Sequence, residues 1–365
     1  MKVPFFDLKR QSSALKNEVM EKLSEVIDNT AFTGGPFVDA LERQLEEYMG
    51  VKHAIALNNG TNALHVALLA LGVKSGDEVI VPANTFVATA WAPSYIGATP
   101  VFVDCDKETW NLCPIELEKA INPRTKAIMA VHLYGQVANL DAIMAIGKKH
   151  GIPVVEDNAQ ALGANYKGQR AGTYGAVSCT SFYPGKNLGS WGEAGAAFTN
   201  DDELAKMMRT LRNHGAEERY YHDYIGYNMR MTGFQGATLG VKLTYLDKWI
   251  ARRQDIAERY KAEIVCDKIT WQKAEPNSSS VYHLFVIITN EKEEFLKHLD
   301  SCEVGYAFHY PVPCHLQKAY ADLGYKQGDM PNAEYLASHC VSLPIFPEMT
   351  DEEVNSVISA VNSFK

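Results

Sequence analysis

The chain has 365 residues, of which 46% are hydrophobic and 22% charged, and its formal net charge is -9. This length suits two domains, and the composition is that of an ordinary globular protein. Both signs of charge are dispersed, which excludes nucleic acid as the main partner because phosphate binding requires basic clusters.

The cysteines and the apolar runs favour a cytoplasmic protein. The seven cysteines are scattered without a CxxC pair, so we expect a reduced interior rather than a disulfide framework or a zinc site. No window reaches the ~18 apolar residues of a membrane span. Charged residues precede any long apolar stretch at the N-terminus, so we expect no signal peptide.

The first 50 residues predict two helices separated by a Gly-Gly-Pro turn. Residues 11–29 carry apolar side chains at a spacing that places them on one helical face. Residues 37–49 form the second helix, which Gly50 closes.

Strands and helices alternate over the next 150 residues. Short apolar runs predict strands at 53–57, 79–81, 100–103, 127–131, 152–155, 176–182 and 194–199. Helices are predicted at 62–71, 89–96, 114–122, 139–150 and 202–213. Such alternation is typical of an α/β fold, with a mostly parallel sheet covered by helices on both faces.

A polar turn, NNGT, joins the first of these strands to its helix. Backbone N–H groups and the Thr61 hydroxyl at a helix N-terminus form an anion site. A simple helix cap fits the local sequence equally well. The turn lacks the GxGxxG spacing of a dinucleotide fold.

Two carboxylates and one lysine are the strongest chemical signals. Glu156 and Asp157 end the strand at 152–155, where open α/β sheets bind ligands. Lys186 follows a Pro-Gly turn between two apolar strands, where lost solvation makes a lysine nucleophilic towards carbonyls. A pyridoxal phosphate (PLP) enzyme needs these two groups, the lysine to bind the aldehyde and the acid to face the pyridine nitrogen. Neither a P-loop nor a GxSxG serine elbow is present.

The second half of the chain predicts a connecting helix and a smaller domain. Composition alone favours a mobile surface loop after residue 213. A helix at 244–264 leads into an α+β domain at 244–365, so the large domain spans 1–243 with its N-terminal helical segment. Further elements are a strand at 281–289 and helices at 291–300 and 350–363. The loop with His309, Tyr310 and His315 lacks acidic or cysteine partners at ligand spacing, so no metal site is expected.

Four segments carry a family resemblance that covers nearly the whole chain: EDNAQALGA, SFYPGKNLG, GEAGAAFTND and GYNMRM. They resemble the DegT/DnrJ/EryC1/StrS family of PLP-dependent sugar aminotransferases. The resemblance implies a fold-type I aminotransferase with a mostly parallel mixed sheet, acting as a homodimer with active sites shared between subunits.

The resemblance also implies roles for individual residues. Lys186 and Asp157 are the catalytic pair. The residues expected to hold PLP are these two with Gly60, Thr61, Phe86, Gln160, Ser181 and, from the partner subunit, Asn228. The residues expected near the sugar substrate are Tyr183, Arg230, His309 and Tyr310, although for His309 a packed loop histidine is an equal alternative.

The expected reaction moves an amino group from L-glutamate to a nucleotide-linked keto sugar. FYPGKNLG with GEAGA is similar to the branch acting on 3-keto sugars, which favours a dTDP-3-keto-6-deoxyhexose. A UDP-linked 3-keto sugar and a nucleotide-linked 4-keto sugar are the alternatives, and a PLP-binding regulator without turnover is a further one. A sugar dehydratase of this fold carries histidine in place of the lysine, so Lys186 argues against it.

Overall fold

The computed structural model describes residues 2–365, which form twelve α-helices and thirteen strands. The helices are α1 Leu8–Asp28, α2 Pro36–Met49, α3 Gly60–Ala70, α4 Ala88–Ile96, α5 Pro114–Ala120, α6 Leu140–His150, α7 Asp202–Arg212, α8 Gly233–Leu243, α9 Leu246–Glu263, α10 Lys292–Ser301, α11 Pro331–His339 and α12 Asp351–Ser363. The strands are β1 His53–Leu57, β2 Glu78–Pro82, β3 Thr99–Val103, β4 Thr125–Val131, β5 Val154–Asp157, β6 Asn165–Tyr166, β7 Gln169–Arg170, β8 Val177–Ser181, β9 Gly195–Thr199, β10 Ile269–Trp271, β11 Ser278–Ser279, β12 Phe285–Thr289 and β13 Cys340–Leu343.

A seven-stranded sheet, in the order β1-β9-β8-β5-β4-β2-β3, forms the centre of the molecule. Strands β8, β5, β4, β2 and β3 run parallel, and β9 is antiparallel to both β8 and β1. All residues of β2, β5 and β9 are buried, as expected for a sheet covered on both faces. The predicted α/β fold with a mixed, mainly parallel sheet is confirmed.

The register of the sheet determines where the candidate site lies. Strand β5 ends at Asp157, which pairs with Cys179 on β8, and β8 ends at Ser181. Helix α3 follows β1 and packs against both β8 and β9. The carboxyl ends of β5 and β8 therefore meet the N-terminus of α3 at one edge of the sheet.

A second, three-stranded antiparallel sheet, β10-β12-β13, carries its own core with α10 and α12. The N-terminal segment joins this core, because Val3 pairs with Val304 and belongs to the same buried cluster as Phe285. Helix α9 leads from the large sheet into this region. The domain boundary after residue 243 stays a prediction.

The segment after residue 213 was expected to be a surface loop, but the structure shows that it contains helix α8. Three glycines lower the helix propensity of this segment and interrupt the apolar spacing by which a helix is predicted. A Cβ on Gly236 would lie 2.9 Å from the backbone of Phe37, so this glycine allows α8 to pack closely on α2. Tertiary packing rather than local propensity therefore forms the helix.

Candidate active site

A cavity of about 640 Å³ lies at the carboxyl edge of the parallel strands. Ten of the twelve site residues predicted from the sequence line it: Gly60, Thr61, Phe86, Asp157, Gln160, Ser181, Tyr183, Lys186, His309 and Tyr310. Asp157 and Ser181 end strands of the central sheet, Gly60 and Thr61 begin α3, and the other six lie in loops. Their individual roles stay predictions.

Lys186 lies on a tight turn after β8. Its backbone N–H donates to the carbonyl of Tyr183 at 2.8 Å, and its side chain is half-buried. Burial lowers the pKa of Lys186 from 10.5 to about 8, although the charge of Asp157 opposes the shift. A substantial fraction of the amine is therefore neutral near physiological pH, which makes it a competent nucleophile.

The two adjacent carboxylates of β5 have different surroundings because successive side chains of a strand point to opposite faces. Glu156 is fully buried and accepts hydrogen bonds from His132 Nε2 at 2.9 Å and from the backbone N–H groups of Gly172 and Gly175, both at 2.6 Å. Burial raises the pKa of Glu156, but these bonds outweigh it and hold the pKa below its ordinary value. Glu156 is thus fully engaged within the protein.

Asp157 is the carboxylate that faces the cavity. Its Oδ2 accepts a hydrogen bond from Thr89 Oγ1 at 2.8 Å, and its Oδ1 accepts one from the backbone N–H of Ala159 at 3.2 Å. Burial raises the pKa of Asp157 despite these bonds. A cationic partner in the cavity would lower that pKa again and stabilise the carboxylate.

The N-terminus of α3 forms a narrow cradle against β8. A Cβ on Gly60 would lie 2.6 Å from Ser181 Cβ, and one on Gly195 would lie 2.4 Å from the backbone of Asn59. The side chain of Asn59 caps the helix through the N–H of Asn62 at 2.8 Å. The N–H groups of Gly60 and Thr61 have no carbonyl one turn earlier in the helix, so they are available to an anion. The cap by Asn59 thus leaves the N–H groups of Gly60 and Thr61 free.

Gln160 is held at both ends of its amide. Its Oε1 accepts from the backbone N–H of Tyr134 at 2.6 Å, and its Nε2 donates to Tyr310 Oη at 2.9 Å. The ring of Tyr310 lies 5.6 Å from that of Phe86, centroid to centroid. These contacts fix an aromatic wall on one side of the cavity.

Asn228 and Arg230 do not line this cavity. Arg230 donates to Asn213 Oδ1 at 2.9 Å and to Asn228 Oδ1 at 3.0 Å, and it borders a separate groove of about 660 Å³. Asn228 itself is exposed. Within one chain these two residues therefore lie outside the candidate active site.

Several residues of the site were not predicted. Thr89, Asn59 and the N-terminal Phe5 and Phe6 gave no sequence signal that separates them from core or capping residues. Arg253 had a signal, because it is a charged residue on the apolar face of α9 that also carries Trp249, Ile250, Ile256 and Ala257.

His315 is not part of the cavity. It is buried, and its Nε2 lies 3.1 Å from Glu334 Oε1. Across residues 2–365, no group of three or more His, Cys, Asp or Glu side chains could hold a metal ion. None of the helices described is long and apolar enough to cross a membrane.

The fold and the site together define an aminotransferase. The crystal structure of S. venezuelae DesV in complex with a ketimine intermediate matches with a TM-score of 0.97 and 41% identity, over 99% of this chain and 98% of that one. The DegT/DnrJ/EryC1/StrS aminotransferase family model matches residues 13–362. The chain belongs to this family, as the sequence resemblance indicated.

Two relatives match this chain along its whole length. One, from Streptomyces venezuelae, is named dTDP-3-amino-3,4,6-trideoxy-alpha-D-glucose transaminase; it is 40% identical over 100% of this chain and 96% of its own length. The other, from Geobacillus stearothermophilus, is named Pleiotropic regulatory protein; it is 43% identical over 100% of this chain and 99% of its own length.

Proposed function

We propose that the protein is a PLP-dependent aminotransferase that moves an amino group from an amino acid, L-glutamate, to a nucleotide-linked keto sugar. One observation carries the proposal: Lys186, with its lowered pKa, and the buried Asp157 line the same cavity as the N-terminal cradle of α3. Within the sugar class, the dTDP-3-keto-6-deoxyhexose remains the preferred substrate, ahead of UDP-linked 3-keto and nucleotide-linked 4-keto sugars.

The residues fit the cofactor by the chemistry of their donors. The free N–H groups of Gly60 and Thr61 beside Ser181 suit a phosphate, and Asp157 suits a protonated ring nitrogen. Phe86 at the cavity wall suits a flat ring. When bound, the cofactor supplies an electrophilic carbon and an electron-accepting ring.

The chain itself then orients the reactants and moves protons. The amine of Lys186 would hold the cofactor carbon and, once the amine of the donor has replaced it there, would be free to carry a proton between substrate and cofactor. Asp157 stabilises positive charge on the ring nitrogen, and Thr89 holds Asp157 in place. Binding energy from the phosphate cradle, which is remote from the reaction, orients the reacting atoms.

We also propose a homodimer with shared sites. Asn228 and Arg230 are hydrogen-bonded to each other and do not line the cavity of their own chain. The preceding segment exposes large side chains, with Ile225 93% and Tyr220 76% exposed, which is typical of an interaction surface.

The seven free cysteines support a reducing, cytoplasmic location.

A regulator without turnover is the second candidate, supported by the name of the Geobacillus stearothermophilus relative. Product masses distinguish the two candidates. Purified protein is incubated with PLP, glutamate and a panel of keto nucleotide sugars, with Lys186→Ala as the control. We expect 2-oxoglutarate and one amino sugar from the wild type only. Cofactor bound at Lys186 without any 2-oxoglutarate would favour the regulator.

A further inference from the structure

Two buried threonines, Thr85 and Thr89, connect the wall of the cavity to the carboxylate of Asp157. Thr85 Oγ1 lies 2.9 Å from Thr89 Oγ1, and Thr89 Oγ1 donates to Asp157 Oδ2 at 2.8 Å. Thr85 is 3% exposed and Thr89 is fully buried. Thr89 lies in the first turn of α4, whereas Thr85 lies in the loop before that helix and lines the cavity. The threonine pair and Asp157 thus form one hydrogen-bonded row.

The direction of the hydrogen bonds in this row follows from the number of protons. A threonine hydroxyl has one proton, and an ionised carboxylate can only accept. Thr89 gives its proton to Asp157, so at the contact between the two hydroxyls Thr85 donates and Thr89 accepts. If a protonated Asp157 donated to Thr89 instead, the proton of Thr85 would have no acceptor among residues 2–365. The row therefore favours an ionised Asp157.

Thr89 differs from an ordinary hydroxyl in a helix. Such a hydroxyl commonly donates to the backbone carbonyl four residues earlier, as Ser94 in the same helix does to Ala90 at 2.9 Å. For Thr89 that carbonyl belongs to Thr85, and it accepts from Cys314 Sγ at 3.3 Å instead. The hydroxyl and the carbonyl of Thr85 therefore both favour the bond from Thr89 to the carboxylate.

Asp157 requires such donors because burial disfavours its charged form. Burial raises the pKa of Asp157, whereas the hydrogen bonds from Thr89 and from the N–H of Ala159 lower it. The titratable groups whose charges act on Asp157 or respond to its charge are Lys186, His132, Tyr310 and Cys179. None of these groups belongs to the threonine pair, so a change at Thr85 leaves them in place.

We propose that Thr85 is a positioning residue for Asp157, because its hydroxyl directs the proton of Thr89 to the carboxylate and keeps Asp157 ionised and oriented. The inference rests on the proposed function, in which Asp157 faces the ring nitrogen of the cofactor. Thr85 itself moves no proton to or from a reactant. Without its hydroxyl, the proton of Thr89 is free to turn to the carbonyl four residues earlier, and the buried carboxylate loses a donor.

The test measures the pKa of Asp157 in protein without cofactor, where activity plays no part. The carboxyl carbons of aspartate are labelled with ¹³C, the Asp157 signal is identified by its absence from Asp157→Asn, and NMR follows that signal against pH. Thr85→Val keeps the shape of the side chain and removes the hydroxyl. Because the charged form loses support, we expect the pKa of Asp157 to rise by about one pH unit. An unchanged pKa would overturn the proposal.

Two controls separate the hydroxyl from the fold. Thr85→Ser keeps the hydroxyl and should restore the wild-type pKa of Asp157. Ser94→Ala removes a hydroxyl of α4 that lies outside the cavity, so it should leave that pKa unchanged. Where Thr85→Val does not fold, Thr85→Ala removes the hydroxyl without adding an atom and takes its place.

A double variant tests whether Thr85 acts through Thr89. Thr89→Val removes the donor itself, so it should raise the pKa of Asp157 at least as much as Thr85→Val does. In the Thr89→Val background, Thr85→Val should then produce no further shift. A further rise of about one pH unit would show that Thr85 acts on Asp157 independently of Thr89, and the proposal would be wrong.

A measurement with bound cofactor separates this proposal from the proposed function. The ¹⁵N chemical shift of the labelled ring nitrogen of PLP reports its protonation. Thr85→Val should move this signal towards that of the unprotonated ring, because a more basic carboxylate competes for the proton, and kcat should fall on the order of tenfold with KM for the nucleotide sugar unchanged. A raised pKa of Asp157 in Thr85→Val, without any amino transfer from glutamate by the wild type, would keep the positioning role and reject the aminotransferase.

Discussion

At the scale of single residues, burial sets the chemistry of the site. Lys186 has a pKa of about 8 because the cavity wall excludes water, whereas the adjacent strand residues Glu156 and Asp157 differ through the donors around them. Glu156 accepts hydrogen bonds that hold it in place, whereas the carboxylate of Asp157 faces the cavity, where a ligand can reach it. One strand thus supplies both an anchored carboxylate and a carboxylate that faces the cavity.

The pKa of Lys186 predicts how cofactor capture depends on pH. Because only the neutral amine attacks an aldehyde, the rate at which apo-protein takes up PLP should rise roughly tenfold per pH unit below about 8 and level off above it. Stopped-flow absorbance between about pH 7 and pH 10 measures the rate. A rate that keeps rising to pH 10 would mean that the lysine has its ordinary basicity.

Asp157→Asn tests the acid separately from the fold. The amide oxygen can still accept from the backbone N–H of Ala159 while Nδ2 donates to Thr89 Oγ1, so the variant should fold, but the ring nitrogen loses its charged partner. We expect the activation free energy to rise by about 3 kcal/mol, which lowers kcat roughly 10²-fold.

Thr89→Ser keeps the hydroxyl and is the control, with kcat expected near that of the wild type. A rise in KM for Asp157→Asn with kcat unchanged would show that Asp157 only binds and does not assist the chemistry.

At the scale of elements, close backbone approach builds the cradle at the N-terminus of α3, where we propose that the cofactor phosphate binds. Helix α3 begins so near β8 that only glycine fits at position 60. Gly60→Ala should therefore raise the Kd for PLP by about tenfold or more, because the Cβ displaces the helix N-terminus from Ser181. Fluorescence titration with PLP measures the change.

Ser181→Gly in the same chain removes Cβ and Oγ, two of the three atoms that the new Cβ would meet, and should partly restore the affinity of Gly60→Ala. Ser181→Gly alone is the matched single variant. If Gly60→Ala binds PLP as tightly as the wild type, the cradle is not the phosphate site.

The elements also show what the sequence could and could not predict. Strand β1 was predicted residue for residue, because a short apolar run between polar turns leaves few alternatives. Helix α8 was missed, since its glycines serve close packing that no local pattern records. The cavity positions of Lys186 and Asp157 followed from where parallel strands end. Thr89 reaches the site through its contact with Asp157, which is distant in sequence, so single-sequence patterns did not assign it to the site.

At the scale of the whole molecule, the proposed dimer has two sites made from both chains. If Asn228 completes the partner's site, mixing Asn228→Ala with Lys186→Ala subunits should restore one working site in each mixed dimer. Equal mixing gives half of the dimers as mixed, so we expect activity near a quarter of the wild-type level per site. Refolding the two variants together and assaying transfer measures it. Activity no greater than the sum of the separate variants would reject the shared site.

The account depends most on a covalent link between the cofactor and Lys186. Borohydride reduction of the holoprotein, followed by peptide mapping, reports where PLP is attached. Lys242 is an internal control, because burial also lowers its pKa to about 8 but it does not line the cavity. We predict a pyridoxyl group on the peptide that contains Lys186 and none on Lys242. A pyridoxyl group on another lysine, or on no peptide, would contradict the account.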